Sequence, residues 1–400
     1  MPAYANLCKN VSSHQKLSLM ADSTIQFLRD LIAINSVNPS LVSGAAGENQ
    51  IGAAIANKLR AGGLDVQLEP LAAGRSNVIG VIEGKQKGRS LMFCGHMDTV
   101  GVAGMETPFD PIEKDGRIYG RGSQDMKGGL AAMVAAALDL SKSGGLPAGR
   151  LVLAAVVDEE YASIGADALV RTWKADAAVV GEPTDMKIAV GHKGFQWVEI
   201  TTEGVAAHGS RPADGRDAIV RMGRVLSRLE KLDRELQACP PHPVHGTASL
   251  HASLIAGGRE LSTYPDQCTL EMERRTIEGE AGQCALNEAE KIMRDLQRED
   301  PEFKASARFL FSRPPYLTPS GHILPRMIES ALAKKGKLAV RGGMSFWTDA
   351  AILGDAGIPS VVFGPGGAGL HSVSEYVIAE DVITCRDVLI ELAKEFCCSQ

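Results

Sequence analysis

The apolar positions of the first 190 residues switch between two periods. Ile25, Leu28 and Ile32, widened by Phe27 and Leu31, recur at helical spacing, and Ser23 stands where a cap would. Residues 48–60 repeat the helical pattern and stop at Gly62-Gly63. Short apolar runs at 64–68, 78–82 and 91–94 have the length and flanks of strands. Asp115-Gly116, between Ile112 and Ile118, marks a hairpin. Then 127–140 reads as a buried, Ala-rich helix, 151–157 as a strand, 165–172 as a helix and 177–180 as a strand. Strands alternating with helices predict an α/β sheet.

The texture changes near Gly191. Residues 195–202 alternate as a strand, 217–236 and 282–298 are charged amphipathic helices, and 247–255, 267–276 and 305–311 are further strands. This pattern predicts a four-stranded α+β sandwich inserted into the α/β domain. After Pro314-Pro315 the first texture returns, with an apolar run at 360–363 and a helix over 384–396. The expected organisation is therefore a discontinuous α/β domain, 1–190 and 315–400, interrupted by an α+β domain, 191–314. Residues 1–20 read as a loose leader.

The ends of the predicted strands carry the reactive side chains. The run 91–94 stops at Gly95 and delivers His96 and Asp98, which alternation in an extended chain places on one face. A carboxylate behind a ligating imidazole fixes its tautomer and raises its basicity. Asp125 precedes Lys127-Gly128-Gly129 at the start of the Ala-rich helix. Asp158-Glu159-Glu160 follows the run 151–157, Gly181-Glu182 follows 177–180, and His371 follows the Gly-rich loop after 360–363. Open α/β sheets bind ligands at the carboxyl ends of their strands. Two histidines and several carboxylates gathered there form the ligand set of a paired metal site for hard-to-borderline ions.

Charge and cysteine usage narrow the setting. A net charge of -6 argues against a nucleic-acid partner. No run of about 18 apolar residues predicts a membrane span, and no apolar stretch follows Lys9 and Lys16 to make a signal peptide. The 8 cysteines are scattered with no CxxC pair, which points to free thiols and a cytoplasmic location.

Five motifs, in order, are similar to those of the M20 metallopeptidase family, the group of acetylornithine deacetylase, succinyl-diaminopimelate desuccinylase, aminoacylase and glutamate carboxypeptidase. They are Gly95-His96-Met97-Asp98-Thr99-Val100, Gly120 to Gly129 (with Asp125 at its centre), Asp158-Glu159-Glu160, Gly181-Glu182-Pro183-Thr184, and Phe363-Gly364-Pro365-Gly366 with His371-Ser372-Val373-Ser374-Glu375. The resemblance implies a dizinc exopeptidase-like catalytic domain and an inserted lid and dimerisation domain, in a homodimer. It implies two zinc ions per chain, with cobalt as a substitute. Asp125 would bridge them, His96 and Glu182 would complete one ion, and Glu160 and His371 the other. Asp98 would stand behind His96, and the peptide after Asp125 would be cis. Glu159 would be the general base, free of metal. His208, in Ala206-Ala207-His208-Gly209-Ser210, would be the lid histidine that stabilises the oxyanion across the dimer. Arg275 would meet the substrate carboxylate, although the adjacent Arg274 and a strand-face salt bridge leave that position open. His192-Lys193 stands where desuccinylases carry an Arg pair for the acyl carboxylate, and an imidazole lacks the bidentate fork of a guanidinium. The implied activity is removal of the acyl group from an N-acyl amino acid, with a metallo-dipeptidase or carboxypeptidase as the alternative. His14, His242, His245, His251 and His322 have no motif around them and read as surface or loop residues.

Overall fold

Asp22, not Ser23, opens the first helix of the computed structural model, which describes residues 21–398. The expected leader at 1–20, with Lys9, His14 and Lys16, lies outside the described residues. Asp22 accepts the Thr24 N–H at 2.8 Å, and Arg386 Nη1 holds both its oxygens at 2.9 Å. Helix α1 (Ser23–Ile32) buries Ile25, Phe27, Leu28, Leu31 and Ile32, the stripe read from spacing. Helix α2 (Asn49–Ala61) ends at Gly62 and leads to the antiparallel pair β1 (Asp65–Ala72) and β2 (Arg75–Glu83). Strand β3 (Ser90–His96) follows. The hairpin of β4 (Ile112–Lys114) and β5 (Arg117–Tyr119) turns on Asp115 and Gly116, at φ of 54° and 75°. A turn over Ser123–Lys127 leads into α3 (Gly128–Lys142), then β6 (Arg150–Val156), α4 (Ile164–Thr172), β7 (Ala177–Val180) and β8 (Ile188–His192).

The chain divides into two compact units. One takes the residues up to Val190, Thr318–Gly342 and everything from Thr348; the other takes Gly191–Leu317 with Gly343–Trp347. The second unit thus runs past the boundary expected at 314 and recruits a short piece of the returning chain. It holds β9 (Gly194–Glu203), α5 (Ala218–Ala238), β10 (Ser249–Gly257), β11 (Gln267–Thr276), α6 (Cys284–Glu299) and β12 (Lys304–Arg313). Its sheet runs β10-β11-β9-β12, antiparallel throughout. Both helices lay apolar stripes on it: Met222, Val225 and Leu229 from α5 and Leu296 from α6 meet Val198, Ile200, Leu270 and Met272.

The first unit resumes with α7 (Leu324–Lys334), which the sequence pattern does not predict, then α8 (Ala350–Asp355), β13 (Ser360–Val362), β14 (Gly367–Ala368), β15 (Tyr376–Ile378) and α9 (Ala379–Cys398). Helix α9 begins earlier than the 384 expected, because Glu380 and Asp381 favour its first turn. Within the first unit the main sheet runs β1-β2-β6-β3-β7-β13-β8. Strands β6, β3, β7 and β13 are parallel, and the edges are antiparallel. The parallel centre has helices packed against it, as buried strands such as Leu91–Cys94 require. Helix α3 is buried almost all round by its alanines. At its start a Cβ on Gly129 would sit 1.8 Å from the Gly181 carbonyl, so only glycine lets the helix meet the strand end that carries Glu182. No helix among the described residues is long and apolar enough to cross a membrane.

Candidate metal centre

Three adjacent parallel strands end at one edge of the main sheet. His96 closes β3, Glu159 and Glu160 follow β6, and Glu182 follows β7. Asp125 arrives from the turn before α3, through a cis Asp125–Met126 peptide. His371 arrives from the loop between β14 and β15, at φ 58°. His96 Nε2 lies 3.0 Å from Asp125 Oδ1 and 3.5 Å from Glu182 Oε1. His371 Nε2 lies 3.2 Å from Asp125 Oδ2 and 3.2 Å from Glu160 Oε2. Two triplets able to hold a metal ion result, His96–Asp125–Glu182 and Asp125–Glu160–His371. They share Asp125 through different oxygens. Glu159 Oε2 stands 4.0 Å from His96 Nε2 and belongs to neither triplet.

Asp98 sits behind His96 differently from the side-chain expectation. His96 Nδ1 is 3.0 Å from the Asp98 main-chain oxygen and 3.6 Å from its carboxylate. The carboxylate instead accepts the N–H groups of Glu159 and Glu160, each at 3.2 Å, and the Asn38 amide at 2.8 Å. Asp158, at φ 72°, turns the chain so that those two N–H groups face Asp98. The His-x-Asp motif therefore fixes both the imidazole and the Glu159-Glu160 turn.

The electrostatics fit a pair of cations. Burial raises the Glu160 pKa to about 7, and the Asp125 charge adds to it. Burial and then Glu182 push Glu159 well above the usual carboxylate range. Burial also raises Glu182 well above it, against the pull of His96. At His96 burial opposes the charge, but Glu182, Asp125 and Asp98 outweigh it and raise the pKa well above 6.5. Hydrogen bonds to Asp125 and Glu160 raise His371 to about 10. Asp125 is lowered, because its bonds to the two imidazoles outweigh burial. Glu160 Oε1 is buried with no hydrogen-bond partner, a lone pair that an ion would satisfy. Nitrogen and oxygen donors in this proportion suit zinc and its neighbours.

Sequence reasoning missed the supports of this centre. Arg75 donates Nε to Glu48 at 2.8 Å and pairs through Nη2 with Asp158 at 2.8 Å. Asn38 joins Asp98 to Asp158, at 2.8 and 3.1 Å. Asp349 is buried, and its charge adds to the rise at Glu159 and Glu182. Its one signal is an acid placed immediately before the apolar run Ala350–Leu353.

The second unit holds the other predicted residues. His208 is exposed; Ser210 N–H donates to its Nδ1 at 3.2 Å, with Ser210 Oγ at 2.8 Å. The His192 ring is buried against Tyr316 and Trp347, its Nδ1 lies 2.9 Å from the Lys193 carbonyl, and burial lowers its pKa to about 4. Lys193 Nζ donates to the Thr247 carbonyl at 2.6 Å. Arg275 is half-buried, pairs with Glu273 at 2.7 Å and lies over the Phe195 ring. That is the strand-face salt bridge weighed against a substrate role. Arg274 is fully buried between Glu280 and Glu288. His245, expected at the surface or in a loop, lies in a loop but is buried, and its Nε2 lies 3.0 Å from the Tyr316 carbonyl.

Residues 92–395 match the family described as Peptidase family M20/M25/M40. An acetylornithine deacetylase of Myxococcus xanthus is 31% identical over 342 residues, covering 82% of this chain and 86% of the relative. An N-formyl-4-amino-5-aminomethyl-2-methylpyrimidine deformylase of Bacillus subtilis is 27% identical over 425 residues, covering 98% and 97%. The solved structure of a Bacillus subtilis dinuclear metal-binding M20 peptidase superposes with a TM-score of 0.71 at 16% identity, covering 94% of this chain and 97% of that one. The chain belongs to peptidase family M20/M25/M40 and is a metallohydrolase of that family.

Proposed function

We propose that this M20-family chain hydrolyses the amide bond of N-acyl amino acids with a small neutral acyl group, as a two-zinc deacylase like acetylornithine deacetylase. The observation that carries the reading is Asp125: its two oxygens face two different imidazoles, and Glu159 stands beside one of them outside both triplets. In this reading two zinc ions, replaceable by cobalt, would be held by His96 with Glu182 and by Glu160 with His371, with Asp125 shared between them. Bound there, they would supply Lewis-acid polarisation of the carbonyl and a lowered pKa for water. Glu159 takes a proton from the attacking water and passes it to the leaving amine. Asp98 keeps Glu159 in place by holding its main chain.

His208 stabilises the oxyanion from the lid of a second copy of the chain, in a homodimer. The Ser210 N–H on Nδ1 supports this role, because it leaves the ring proton on Nε2 as a donor. Two features support a small acyl group: the acetylornithine deacetylase and the deformylase among the relatives are named for removing acetyl and formyl groups, and His192 stands where desuccinylases carry an Arg for the acyl carboxylate. The free cysteines support a cytoplasmic location. The test compares kcat/KM for N-acetyl, N-formyl and N-succinyl forms of a panel of amino acids, including ornithine, and for dipeptides, with zinc- or cobalt-loaded enzyme. Acetyl and formyl substrates should lead. A clear preference for dipeptides would replace this reading with a metallo-dipeptidase, and a clear preference for succinyl would show that another cation holds the acyl carboxylate.

A further inference from the structure

Glu375 closes the turn that presents Asp125. Its side chain is buried, and both oxygens are fully used. Oε1 accepts the main-chain N–H groups of Gln124 at 2.9 Å and Asp125 at 3.1 Å. Oε2 accepts the Gly122 N–H at 3.0 Å and Arg121 Nη1 at 2.7 Å. These donors need an outside acceptor. Gly122 is left-handed at φ 78°, and Asp125 and Met126 depart from helical geometry, so the first N–H groups of the turn have no preceding helical carbonyls to bond. One carboxylate supplies the acceptors.

The other end of Glu375 belongs to the loop that carries His371. That loop is tied to the same region by the Gly120 N–H on the Glu375 carbonyl at 3.3 Å and by the pairing of Tyr376 with Tyr119. Glu375 therefore links two segments that each deliver one side chain to the Asp125–Glu160–His371 triplet. The other triplet differs. Besides Asp125 it draws on His96 and Glu182, from the ends of β3 and β7, which are joined by their own ladder. His371 is also the least enclosed of these side chains, 53% exposed, so its loop is its main restraint.

We propose that Glu375 is a positioning residue that sets the placement of Asp125 relative to His371, and so the affinity of the ion those two share with Glu160. The inference rests on the two-ion reading given above. In Glu375→Gln one acceptor oxygen becomes an NH2 group that opposes N–H donors, and the charge facing Arg121 is lost. Neighbours that orient ligands in this way change metal affinity by about 10–100-fold.

The test is calorimetric zinc titration of the metal-free full chain, with cobalt absorption as a second reading of coordination. Wild type should bind two ions. Glu375→Gln should bind one ion at close to wild-type affinity and the second about 10–100-fold more weakly. Arg121→Gln removes one donor but keeps the three main-chain contacts; it should melt at a lower temperature yet keep both affinities. Unchanged affinities in Glu375→Gln would overturn the inference. So would equal weakening of both ions, or an Arg121→Gln effect on the second ion as large as that of Glu375→Gln. If Glu375→Gln does not fold, Glu375→Asp, which keeps the charge but shortens the reach, is titrated with the same expectation. A wild-type chain that binds fewer than two ions would instead overturn the two-ion reading itself.

Discussion

Replacing Arg75 with methionine should destabilise the chain strongly and slow it by more than the lost stability explains. The guanidinium donates Nε to Glu48 at 2.8 Å and Nη1 to Ser40 at 3.1 Å, and it pairs with Asp158 at 2.8 Å. The side chains of Glu48 and Asp158 are only 0% and 2% exposed, so neither can turn to water once the cation is gone. Removing one member of a buried ion pair costs about 3–5 kcal/mol. Asp158 keeps the Asn38 amide at 3.1 Å and the Ser40 hydroxyl at 3.2 Å, so the larger part of the cost falls on Glu48. At roughly 2–4 °C per kcal/mol the melting midpoint should fall by about 6–20 °C, read by scanning calorimetry of the metal-free protein. Adding Glu48→Met should restore more than half of the loss, because two apolar side chains leave no unpaired charge between them. Activity should stay low in the double variant. Asp158 still lacks its cation there, and its turn aims the Glu159 and Glu160 N–H groups at Asp98. A midpoint within about 2 °C of wild type for Arg75→Met, or a double variant as unstable as the single one, would refute the reasoning.

Glu159→Gln should abolish turnover while metal content, measured by elemental analysis, stays near wild type; joint loss of metal and activity would exchange the roles of Glu159 and Glu160. Asp22→Ala removes a helix cap and should cost about 1–2 kcal/mol at neutral pH. Burial works against the Asp22 charge, but Thr24 and Arg386 outweigh it and hold the pKa below 3.8 in the folded chain. Its contribution is therefore complete above the unfolded value and lost as pH falls through the lower folded one, so urea denaturation should show wild type and variant converging in acid; a gap that widens there contradicts the assignment. His208→Ala and Glu159→Gln should each be nearly inactive alone and recover activity as mixed dimers when co-expressed with different tags. Confirmed mixed dimers that stay inactive would confine His208 to its own chain.

Local pattern reaches the elements that local interactions build. The run Ala177–Val180 is legible because a strand buried on both faces needs four apolar side chains in a row, and the α1 stripe because its buried face repeats every three or four residues. The acids after β6 and β7 are legible because chemistry gathers where parallel strands stop. The supports of the site are not legible in this way. Asn38 and Asp158 are 120 positions apart, and nothing near either residue announces the bond. Spacing also sees side chains and not main chain: it places Asp98 beside His96, but it cannot show that the ring bonds the Asp98 carbonyl while the carboxylate serves Glu159 and Glu160. His245 lies in a loop, as its lack of a motif allows, but spacing cannot show that its ring is buried beside the Tyr316 carbonyl, 71 positions away.

The bond between Arg121 and Glu375 spans 254 positions of the chain, which gives it a meaning in biosynthesis. At roughly 5–20 residues per second, a ribosome spends about 13–50 s between making one partner and the other. His96, Asp125 and Glu182 have all been made by the time residue 182 is added. Through the rest of translation the Asp125 turn lacks the carboxylate that closes it, and the second triplet lacks His371. The first unit is itself unfinished until its last residues are made, because α7 and α9 supply part of its core. In the two-ion reading, a ribosome stalled short of residue 371 therefore holds a chain that lacks one ligand of the second triplet and the carboxylate that closes the turn of the residue both triplets share.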